Sequence, residues 1–210
     1  MTLPNRLGIT DDVELAHEEE RISKLAALSL YRDGTLDGLE PGTFETLRQI
    51  HVALFGSIYG FAGQVRTADL VKGSCRFVST LYLGSALDAI KAMPQDTFDH
   101  IVEKYVEMNV AHPFREGNGR SGRIWLDHML RHELGLTVDW GRVGREDYLL
   151  AMERSPVRDV EIKALLREAL SDQLDSFVLL ARGVDASYAY EGYAAYRAED
   201  LAREDLACGD

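Results

Sequence analysis

The segment from His112 to Arg123, which reads HPFREGNGRSGR, gathers residue types that handle phosphate groups. Gly117 and Gly119 permit backbone conformations that other residues avoid, and successive amide N–H groups in such a turn can form an anion-binding nest. A helix that starts after the turn adds the positive end of its dipole. These features favour a binding site for a polyphosphate.

Charged and titratable side chains flank these glycines. Arg120 and Arg123 are three positions apart, so we expect the first turns of a helix to direct both towards one ligand. Glu116 offers a hard oxygen ligand of the kind that Mg²⁺ takes together with phosphate oxygens and water. His112 titrates near neutral pH and can accept a proton from a hydroxyl that attacks phosphorus. The segment thus combines a base, a metal ligand and a phosphate cradle.

Two other interpretations of this segment are weaker. The glycines of GNGRSG, residues 117–122, match a dinucleotide-binding fingerprint. That fingerprint follows a β-strand, whereas helical spacing precedes this segment. His112, Glu116, His128 and His132 also suggest a metal site. His128 and His132 are four positions apart and could share a helix face, but this pair lacks a third partner at metalloprotease spacing. We therefore interpret His128 and His132 as ordinary helix residues.

Apolar residues at helical spacing dominate the rest of the chain. The predicted helices cover residues 13–31, 43–55, 80–92, 96–111, 121–132, 145–154, 157–182 and 186–204. Thr43 is the expected N-cap of the second helix. Residues 64–79 differ, because apolar residues there surround a Lys72–Gly73–Ser74 turn that is typical of a β-hairpin. The predicted fold class is all-α, a helical bundle with one small β-hairpin.

Length, charge and cysteine content narrow the class of protein. The chain has 210 residues and a formal net charge of −12, which suits a domain with a sizeable core and disfavours direct nucleic-acid binding. No apolar run reaches the ~20 residues that cross a bilayer, and residues 1–17 lack a signal-peptide pattern. Cys75 and Cys208 do not suggest a disulfide framework. We expect a cytoplasmic protein without membrane contacts.

The loop resembles the signature of the Fic family, HxFx[DE]GNGRxxR, at every specified position. IHVALFGSIYGFAGQVRTADLVKG is similar to the segment that leads into the family's flap hairpin. YVEMNVAHPF resembles its approach helix, and YLLAMERSPVRDVEIKALL resembles its later helices. Together these segments cover roughly residues 15–195. The resemblance implies the helical Fic fold and transfer of AMP from ATP to a Tyr, Ser or Thr hydroxyl of a target protein, with release of pyrophosphate.

Carried over by position, the resemblance implies that His112 is the base and that Glu116 binds Mg²⁺. It implies that the ATP-binding residues are Lys72, Asn109, Gly117, Asn118, Gly119, Arg120, Ser121, Gly122 and Arg123. Two of these have alternatives, because Lys72 could be a solvated turn lysine and Asn109 a structural cap. The target protein is expected to dock at the flap hairpin by strand addition, which leaves its identity open.

Residues 187–192, SYAYEG, resemble the [ST]xxxE[GN] inhibitory motif that one Fic class carries on a C-terminal helix. Ser187 and Glu191 are four positions apart and share a helix face. The Glu191 carboxylate can then pair with Arg123, where the γ-phosphate of ATP would be neutralised. Tyr188 is a candidate self-modification site that would help to release this inhibition, and packing against the bundle is the alternative role for it.

This interpretation divides the chain into residues 1–183, the Fic core domain with a flap hairpin at about 64–79 and an active-site loop at 112–123, and residues 184–210, the inhibitory helix and a frayed acidic tail. A homo-oligomer is compatible with it, since subunit contacts could hold the helix. Two other functions stay open: a different Fic chemistry, such as removal of AMP or transfer of another phosphate-containing group, and a nucleotide-sensing binding module without turnover. The intact His112 disfavours the binding module, which needs no base.

Overall fold

The structure is a computed structural model that describes residues 2–72 and 75–208, with all their side chains except those of Lys72, Cys75 and residues 206–208. The fold is all-α with a small hairpin, as the sequence predicts. The helices in the described residues are α1 (Asp12–Arg32), α2 (Phe44–Phe55), α3 (Leu83–Lys91), α4 (Phe98–Ala111), α5 (Asn118–Leu134), α6 (Arg145–Arg154), α7 (Val160–Glu168), α8 (Phe177–Tyr190) and α9 (Ala198–Cys208).

Helix α5 lies at the centre of the bundle. Every residue from Arg120 to Leu130 is buried, and the helix packs against α2, α4 and α8. Burial on all sides explains why Ile124, Trp125 and Leu126 occupy successive positions rather than a single apolar stripe. Trp125 is fully buried, and its Nε1–H donates to the carbonyl of Thr43 at 2.9 Å. The hydroxyl of Thr43 in turn accepts from the amide of Thr46, which confirms the predicted N-cap of α2.

The predicted hairpin is confirmed, but its strands are shorter than residues 64–79. Strands β1 (Val71–Lys72) and β2 (Cys75–Arg76) pair antiparallel. Towards the base of the hairpin, side chains bond backbone groups in place of strand pairing. Asp69 accepts from the amide of Thr80 at 2.7 Å, and Arg66 donates to the carbonyl of Val78. These side-chain bonds satisfy backbone groups that a longer ladder would otherwise pair.

The prediction of one helix over residues 157–182 is wrong. Helix α7 ends at Glu168, and β4 (Leu170–Ser171) pairs antiparallel with β3 (Thr137–Val138). A new helix, α8, then begins after Ser176, whose hydroxyl caps it by accepting from the amide of Leu179 at 3.3 Å. Pairing with a strand more than thirty residues earlier is a tertiary contact, which helical spacing cannot reveal.

The predicted helix over residues 186–204 is also interrupted. Helix α8 ends at Tyr190, and Gly192 takes a φ of 92° that reverses the chain. The expected frayed tail is wrong as far as residue 202, because α9 follows and buries Ala198, Leu201 and Ala202. Helices α8 and α9 both pack against α1. The expected division at 183/184 falls inside α8, and the division into two units stays a prediction.

Candidate active site

The segment from His112 to Arg123 runs from the C-terminal end of α4 through a short loop into the first turns of α5. His112 is the C-cap residue of α4 and takes the left-handed conformation, with φ 49°. This conformation turns the chain out of the helix and is unfavourable for residues other than glycine. Nδ1 of His112 lies 3.3 Å from the carbonyl oxygen of Asn109. A carbonyl only accepts, so Nδ1 carries the hydrogen in this contact and Nε2 of the neutral imidazole carries the lone pair.

Side chains around the loop hold its backbone. Asn118 accepts from the amide of Phe114 at 2.8 Å and donates to its carbonyl at 2.7 Å, which closes the loop into a ring. Nδ1 of His51 accepts from the amide of Gly63 at 3.0 Å, and its Nε2 lies 2.8 Å from the carbonyl oxygen of Glu116. Burial lowers the pKa of His51 to about 4, so the ring is neutral and donates to that carbonyl.

Gly117 provides the sharp turn that starts α5. Its φ of 79° is left-handed, and a Cβ at this position would collide with the ring of Phe55. Glycine therefore satisfies a conformational and a steric requirement at once. The first amide groups of an α-helix have no intrahelical partners, which makes the start of α5 a favourable site for an anion.

A cleft of about 620 Å³ opens above this helix end. The loop, the hairpin, α4 and α6 form its walls, and Glu191 lies at its edge. The residues that line it are Leu70, Val71, Phe77, Asn109, His112, Arg115, Glu116, Gly117, Asn118, Gly119, Arg123, Tyr148, Leu149, Met152, Glu153 and Glu191. Its volume lies in the range of small-molecule sites. The cleft joins a histidine, a carboxylate, a helix N-terminus and a guanidinium in one space.

Glu116 is the one acidic residue of the HPFREGNGRSGR loop. Its side chain is 41% exposed, and Oε1 accepts from the amide of Gly117 at 3.0 Å and from Nη2 of Arg120 at 3.3 Å. Among the described residues, no group of three or more His, Cys, Asp or Glu side chains could enclose a metal ion. A partly exposed carboxylate beside an anion site fits Mg²⁺ that completes its shell with phosphate oxygens and water.

Arg123 is the buried cation at the floor of the cleft. Its Nε donates to the hydroxyl of Ser187 at 2.7 Å, and its Nη2 donates to the Ser187 carbonyl at 2.7 Å and to Oε1 of Glu191 at 3.2 Å. Burial acts to lower the pKa of Arg123, but Tyr148 and Glu191 outweigh it, so the net shift is upward. Arg123 is therefore charged, and its anionic partner is Glu191, the C-cap residue of α8.

The Glu191 carboxylate also lies against the start of α5. A Cβ on Gly119 would collide with Oε1 of Glu191. A carboxylate at a helix N-terminus is stabilised by the dipole and by the unpaired amide groups. Glu191 thus lies where the sequence predicts a phosphate nest, and its side chain is 19% exposed.

Arg120, predicted to bind ATP together with Arg123, does not line the cleft. Its Nη1 donates to Oε1 of Glu19 at 2.5 Å, and the side chain is 1% exposed. The guanidinium also stacks at 4.7 Å from the ring centres of Phe55 and Tyr193. Side chains three positions apart on a helix point about 60° away from each other. Arg120 therefore points into the bundle, where it pairs with Glu19 of α1.

The other predicted site residues divide into two groups. Asn109, Gly117, Asn118 and Gly119 line the cleft, whereas Ser121 and Gly122 are buried behind it. The hydroxyl of Ser121 donates to the carbonyl of Gly117 at 2.9 Å and so supports the turn. The backbone of Lys72 lies in β1, and its side chain is outside the part of the chain that the structure describes.

Tyr188, the candidate self-modification site, is buried with 1% exposure. Burial raises the pKa of its hydroxyl to about 12. The ring centre lies 5.3 Å from the guanidinium carbon of Arg120 and 5.4 Å from Nζ of Lys24. Modification of Tyr188 would require α8 to leave its place in the bundle, and the role stays a prediction.

A buried ion cluster fastens the chain around Glu191 to α1. Nζ of Lys24 contacts Oε1 of Glu20 at 3.0 Å and Oδ1 of Asp185 at 2.8 Å, and it donates to the carbonyl of Tyr196 at 2.6 Å. Glu20 accepts from the amide groups of Ala195 and Tyr196 at 3.0 and 3.2 Å. The lysine and Glu20 are each 1% exposed. Both sides of the turn that carries Glu191 are therefore anchored.

Sequence reasoning missed two parts of the site. The first is the wall formed by α6, whose Tyr148 and Met152 are four positions apart and line the cleft on one helix face. Their spacing was the available signal. The second is Phe77, whose ring stacks on the imidazole of His112 with centres 3.7 Å apart and planes at 15°. No local pattern predicts that contact.

None of the described helices is long and apolar enough to span a membrane.

The fold is an all-α bundle in which a hairpin flanks an anion-binding helix end. Comparison with known proteins identifies the family that has this arrangement. Residues 41–130 match the family model described as the Fic/DOC family. "Probable protein adenylyltransferase y4lH" of Sinorhizobium fredii is 30% identical over 166 residues, which cover 73% of this chain and 82% of that protein. The chain belongs to the Fic/DOC family.

Two further comparisons bear on length and fold. "Protein adenylyltransferase VbhT" of Bartonella schoenbuchensis is 30% identical over 180 residues, and the match covers 80% of this chain but only 37% of VbhT. The crystal structure of BepC from Bartonella tribocorum with bound AMPPNP has a TM-score of 0.69 at 19% identity. That match covers 82% of this chain and 94% of the BepC chain, and it supports the fold.

Proposed function

We propose that this chain is a protein adenylyltransferase, which transfers AMP from ATP to a Tyr, Ser or Thr hydroxyl of a target protein. The single observation that carries the proposal is one cleft lined by His112, Glu116, the Gly117–Gly119 turn and Arg123. The names of the relatives, protein adenylyltransferases, support the same reaction. So does the ATP analogue bound to the structural relative BepC.

In this proposal the hydroxyl oxygen of the target attacks the α-phosphorus of ATP. The bond from that phosphorus to the bridging oxygen of the β-phosphate breaks, and pyrophosphate leaves. Nε2 of His112 takes the hydroxyl proton, since Nδ1 is directed to the carbonyl of Asn109. The product is a phosphodiester between AMP and the target side chain. The reaction needs little covalent chemistry from the protein, so positioning and charge neutralisation dominate.

The residues of the cleft divide this positioning between them. The amide groups of the turn from Gly117 into α5 bind phosphate oxygens, and Arg123 neutralises the terminal phosphate. Glu116 would hold Mg²⁺, which when bound neutralises negative charge on the phosphates. The target hydroxyl reaches His112 from the side of the hairpin, whose Leu70, Val71 and Phe77 form that wall. Target docking at the hairpin edge is part of the proposal.

Glu191 is proposed to inhibit the enzyme in the conformation described. Its carboxylate contacts Arg123 and lies against Gly119, so it occupies the place of the ATP terminal phosphate. ATP must then displace it or bind with its phosphates out of line for attack. Ser187 contributes by fixing Arg123, because its hydroxyl and carbonyl oxygens accept two hydrogen bonds from the guanidinium. The chain is thus a restrained transferase.

The position of the label in ATP tests the chemistry. The Glu191→Gly variant is incubated with a cell lysate and either α-labelled or γ-labelled ATP. AMP transfer places only the α-label on protein, whereas phosphate transfer places only the γ-label there. His112→Ala in the same background should bind ATP and add no label beyond that of the lysate alone. Labelling above that of the lysate alone from γ-labelled ATP only would overturn the assignment of AMP transfer.

The remaining alternatives give other results in the same design. A nucleotide-sensing module binds ATP in the Glu191→Gly variant and labels no protein. An enzyme that removes AMP releases it from a target that was labelled beforehand, without new incorporation. Either outcome would contradict the proposed reaction. Measuring ATP binding on the same sample distinguishes both outcomes from an inactive protein preparation.

A further inference from the structure

A buried guanidinium, that of Arg66, lies beneath the turn that presents His112. The Arg66 side chain is 2% exposed and does not line the cleft. Burial lowers the pKa of Arg66, and Asp69, 3.9 Å away, opposes that shift. A buried arginine is costly unless its N–H groups find acceptors. Its partners therefore show what this side chain holds together.

Four backbone carbonyls surround the guanidinium. Nε donates to the carbonyl of His112 at 2.8 Å, and Nη2 donates to the carbonyl of Ala111 at 3.2 Å. Nη1 donates to the carbonyl of Ala68 at 2.9 Å, and Nη2 also donates to that of Val78. The first two carbonyls end α4, and the other two belong to the two legs of the hairpin. One planar side chain thus joins the catalytic loop to the hairpin.

The first pair of bonds fixes an unfavourable backbone conformation. His112 is the one non-glycine residue with positive φ among the residues that the structure describes. Such a conformation costs roughly 1–2 kcal/mol. A cation at the last carbonyls of a helix is favourable. On the other side of the turn, the amide of Arg66 donates to the carbonyl of Pro113 at 2.8 Å. Arg66 therefore favours the turn that aims His112 into the cleft.

The second pair of bonds fixes the neighbour of the imidazole. Val78, bound by the guanidinium, also donates its amide to the carbonyl of Val110 at 3.1 Å. The preceding residue, Phe77, stacks on the His112 ring at 3.7 Å between centres. Face-to-face contact restricts rotation of the imidazole about its side-chain bonds. The orientation of the ring and that of its backbone thus depend on the same guanidinium.

We propose that Arg66 is a positioning residue for His112. It sets the left-handed turn through two carbonyls at the end of α4, and it sets the Phe77 ring through Val78. The inference rests on the proposed function, in which His112 accepts the hydroxyl proton. Lysine cannot replace this group, because one compact ammonium with three donors does not span four carbonyls in a plane.

The kinetic test uses the Glu191→Gly background. Arg66→Lys should lower kcat for AMP transfer about 10- to 100-fold, because the base is misplaced, while the KM for ATP stays within about twofold, because the phosphate contacts are untouched. Arg131→Lys is the matched control. Arg131 donates to the carbonyl of Leu174 at 2.9 Å and does not line the cleft, so its loss should leave both constants near those of the parent.

A spectroscopic test is independent of activity. The imidazole C–H proton resonances of His112, assigned by comparison with His112→Ala, should lie upfield because the Phe77 ring faces them. Arg66→Lys should move them downfield, and Phe77→Leu should do the same with Arg66 intact. If Arg66→Lys does not fold, Arg66→Gln, which keeps two amide N–H donors, carries both measurements, with lowered kcat, unchanged KM for ATP and a downfield shift of the His112 resonances expected.

Two results overturn the inference. One is unchanged kcat and unchanged His112 resonances in Arg66→Lys, whatever the effect of Phe77→Leu. The other is a loss of kcat and of ATP binding in equal proportion with unchanged His112 resonances, which indicates only a general loss of structure. Absence of AMP transfer in the Glu191→Gly parent refutes the proposed function instead, and the resonances still show whether Arg66 positions His112.

Discussion

The carboxylate of Glu191 and the guanidinium of Arg123 meet at the N-terminal end of α5, with 3.2 Å between Oε1 and Nη2. The same carboxylate oxygen lies against Gly119, within the turn that forms the anion site. An ATP phosphate bound there would use the same guanidinium and the same helix end. We therefore propose that the two anions compete for one place.

This competition predicts a change in ATP affinity. Glu191→Gly should bind ATP at least about tenfold more tightly than the wild type, since the phosphate no longer displaces a paired carboxylate. Isothermal titration calorimetry with Mg²⁺ and ATP measures it. Glu168→Gly, at the exposed end of α7, is the control and should bind like the wild type. Equal affinity of the Glu191 variant and the wild type would show that Glu191 does not contest the site.

The turn at Gly117 predicts a stability difference between two glycine substitutions. Both Gly117 and Gly135 have positive φ. A Cβ added at Gly117 would collide with the ring of Phe55, whereas a Cβ added at Gly135 would have open space around it. Gly135→Ala should lower the free energy of unfolding by about 1–2 kcal/mol. Gly117→Ala should lower it by a further ~1–3 kcal/mol from overpacking. Urea denaturation compares them, and equal losses would contradict the steric role.

Burial of His51 predicts a pH dependence of stability. Its pKa is lowered to about 4 in the folded protein, against about 6.5 in an unfolded chain. Between these values the unfolded state binds a proton that the folded state does not. The free energy of unfolding therefore falls as the pH is lowered from about 6.5 to about 4, by roughly 3 kcal/mol at most.

His51→Gln isolates this contribution. Glutamine does not titrate and can still donate to the carbonyl of Glu116, which His51 contacts at 2.8 Å. Urea denaturation of both proteins at pH 7 and pH 4.5 gives the two pH dependences. The variant should lose less stability than the wild type over this interval. An identical loss in both proteins would show that His51 is not the titrating group.

The helices and the central loop could be predicted from sequence because they depend on neighbours along the chain. The Thr43 cap, the spacing of α4 and the glycines of the loop are local features, and His112, Glu116 and Arg123 indeed share one cleft. The assignment of their roles stays a prediction. The direction of the Arg120 side chain could not be predicted in this way, because its partner Glu19 lies on α1, about a hundred positions earlier.

The C-terminal region shows the same limit for secondary structure. The break between α7 and α8 depends on strand pairing of Leu170 with Val138. The fold of α9 against the bundle depends on burial of Ala198 and on Asp185, which accepts from the Ala198 amide at 3.0 Å. Helical spacing alone extends across both breaks, because the competing tertiary contacts leave no local signal.

The Lys24 cluster predicts a large stability effect in the same region. Lys24→Met leaves Glu20 buried without its cation, and should lower the free energy of unfolding by about 3–5 kcal/mol. Hydrogen exchange in residues 185–197 should become faster. Arg154→Met breaks an exposed pair with Glu161, whose side chains are 59% and 46% exposed, and should lose less than about 1 kcal/mol. Similar losses in both variants would contradict the anchoring role of Lys24.

The most direct test of the proposed restrained transferase is AMP incorporation by Glu191→Gly from α-labelled ATP, beside the wild type and the Glu191→Gly/His112→Ala double variant. We predict incorporation at least about tenfold above the wild type for the single variant, as expected when binding no longer requires displacement of Glu191, and background labelling for the double variant. Incorporation equal to that of the wild type, or undiminished incorporation in the double variant, would contradict the proposal.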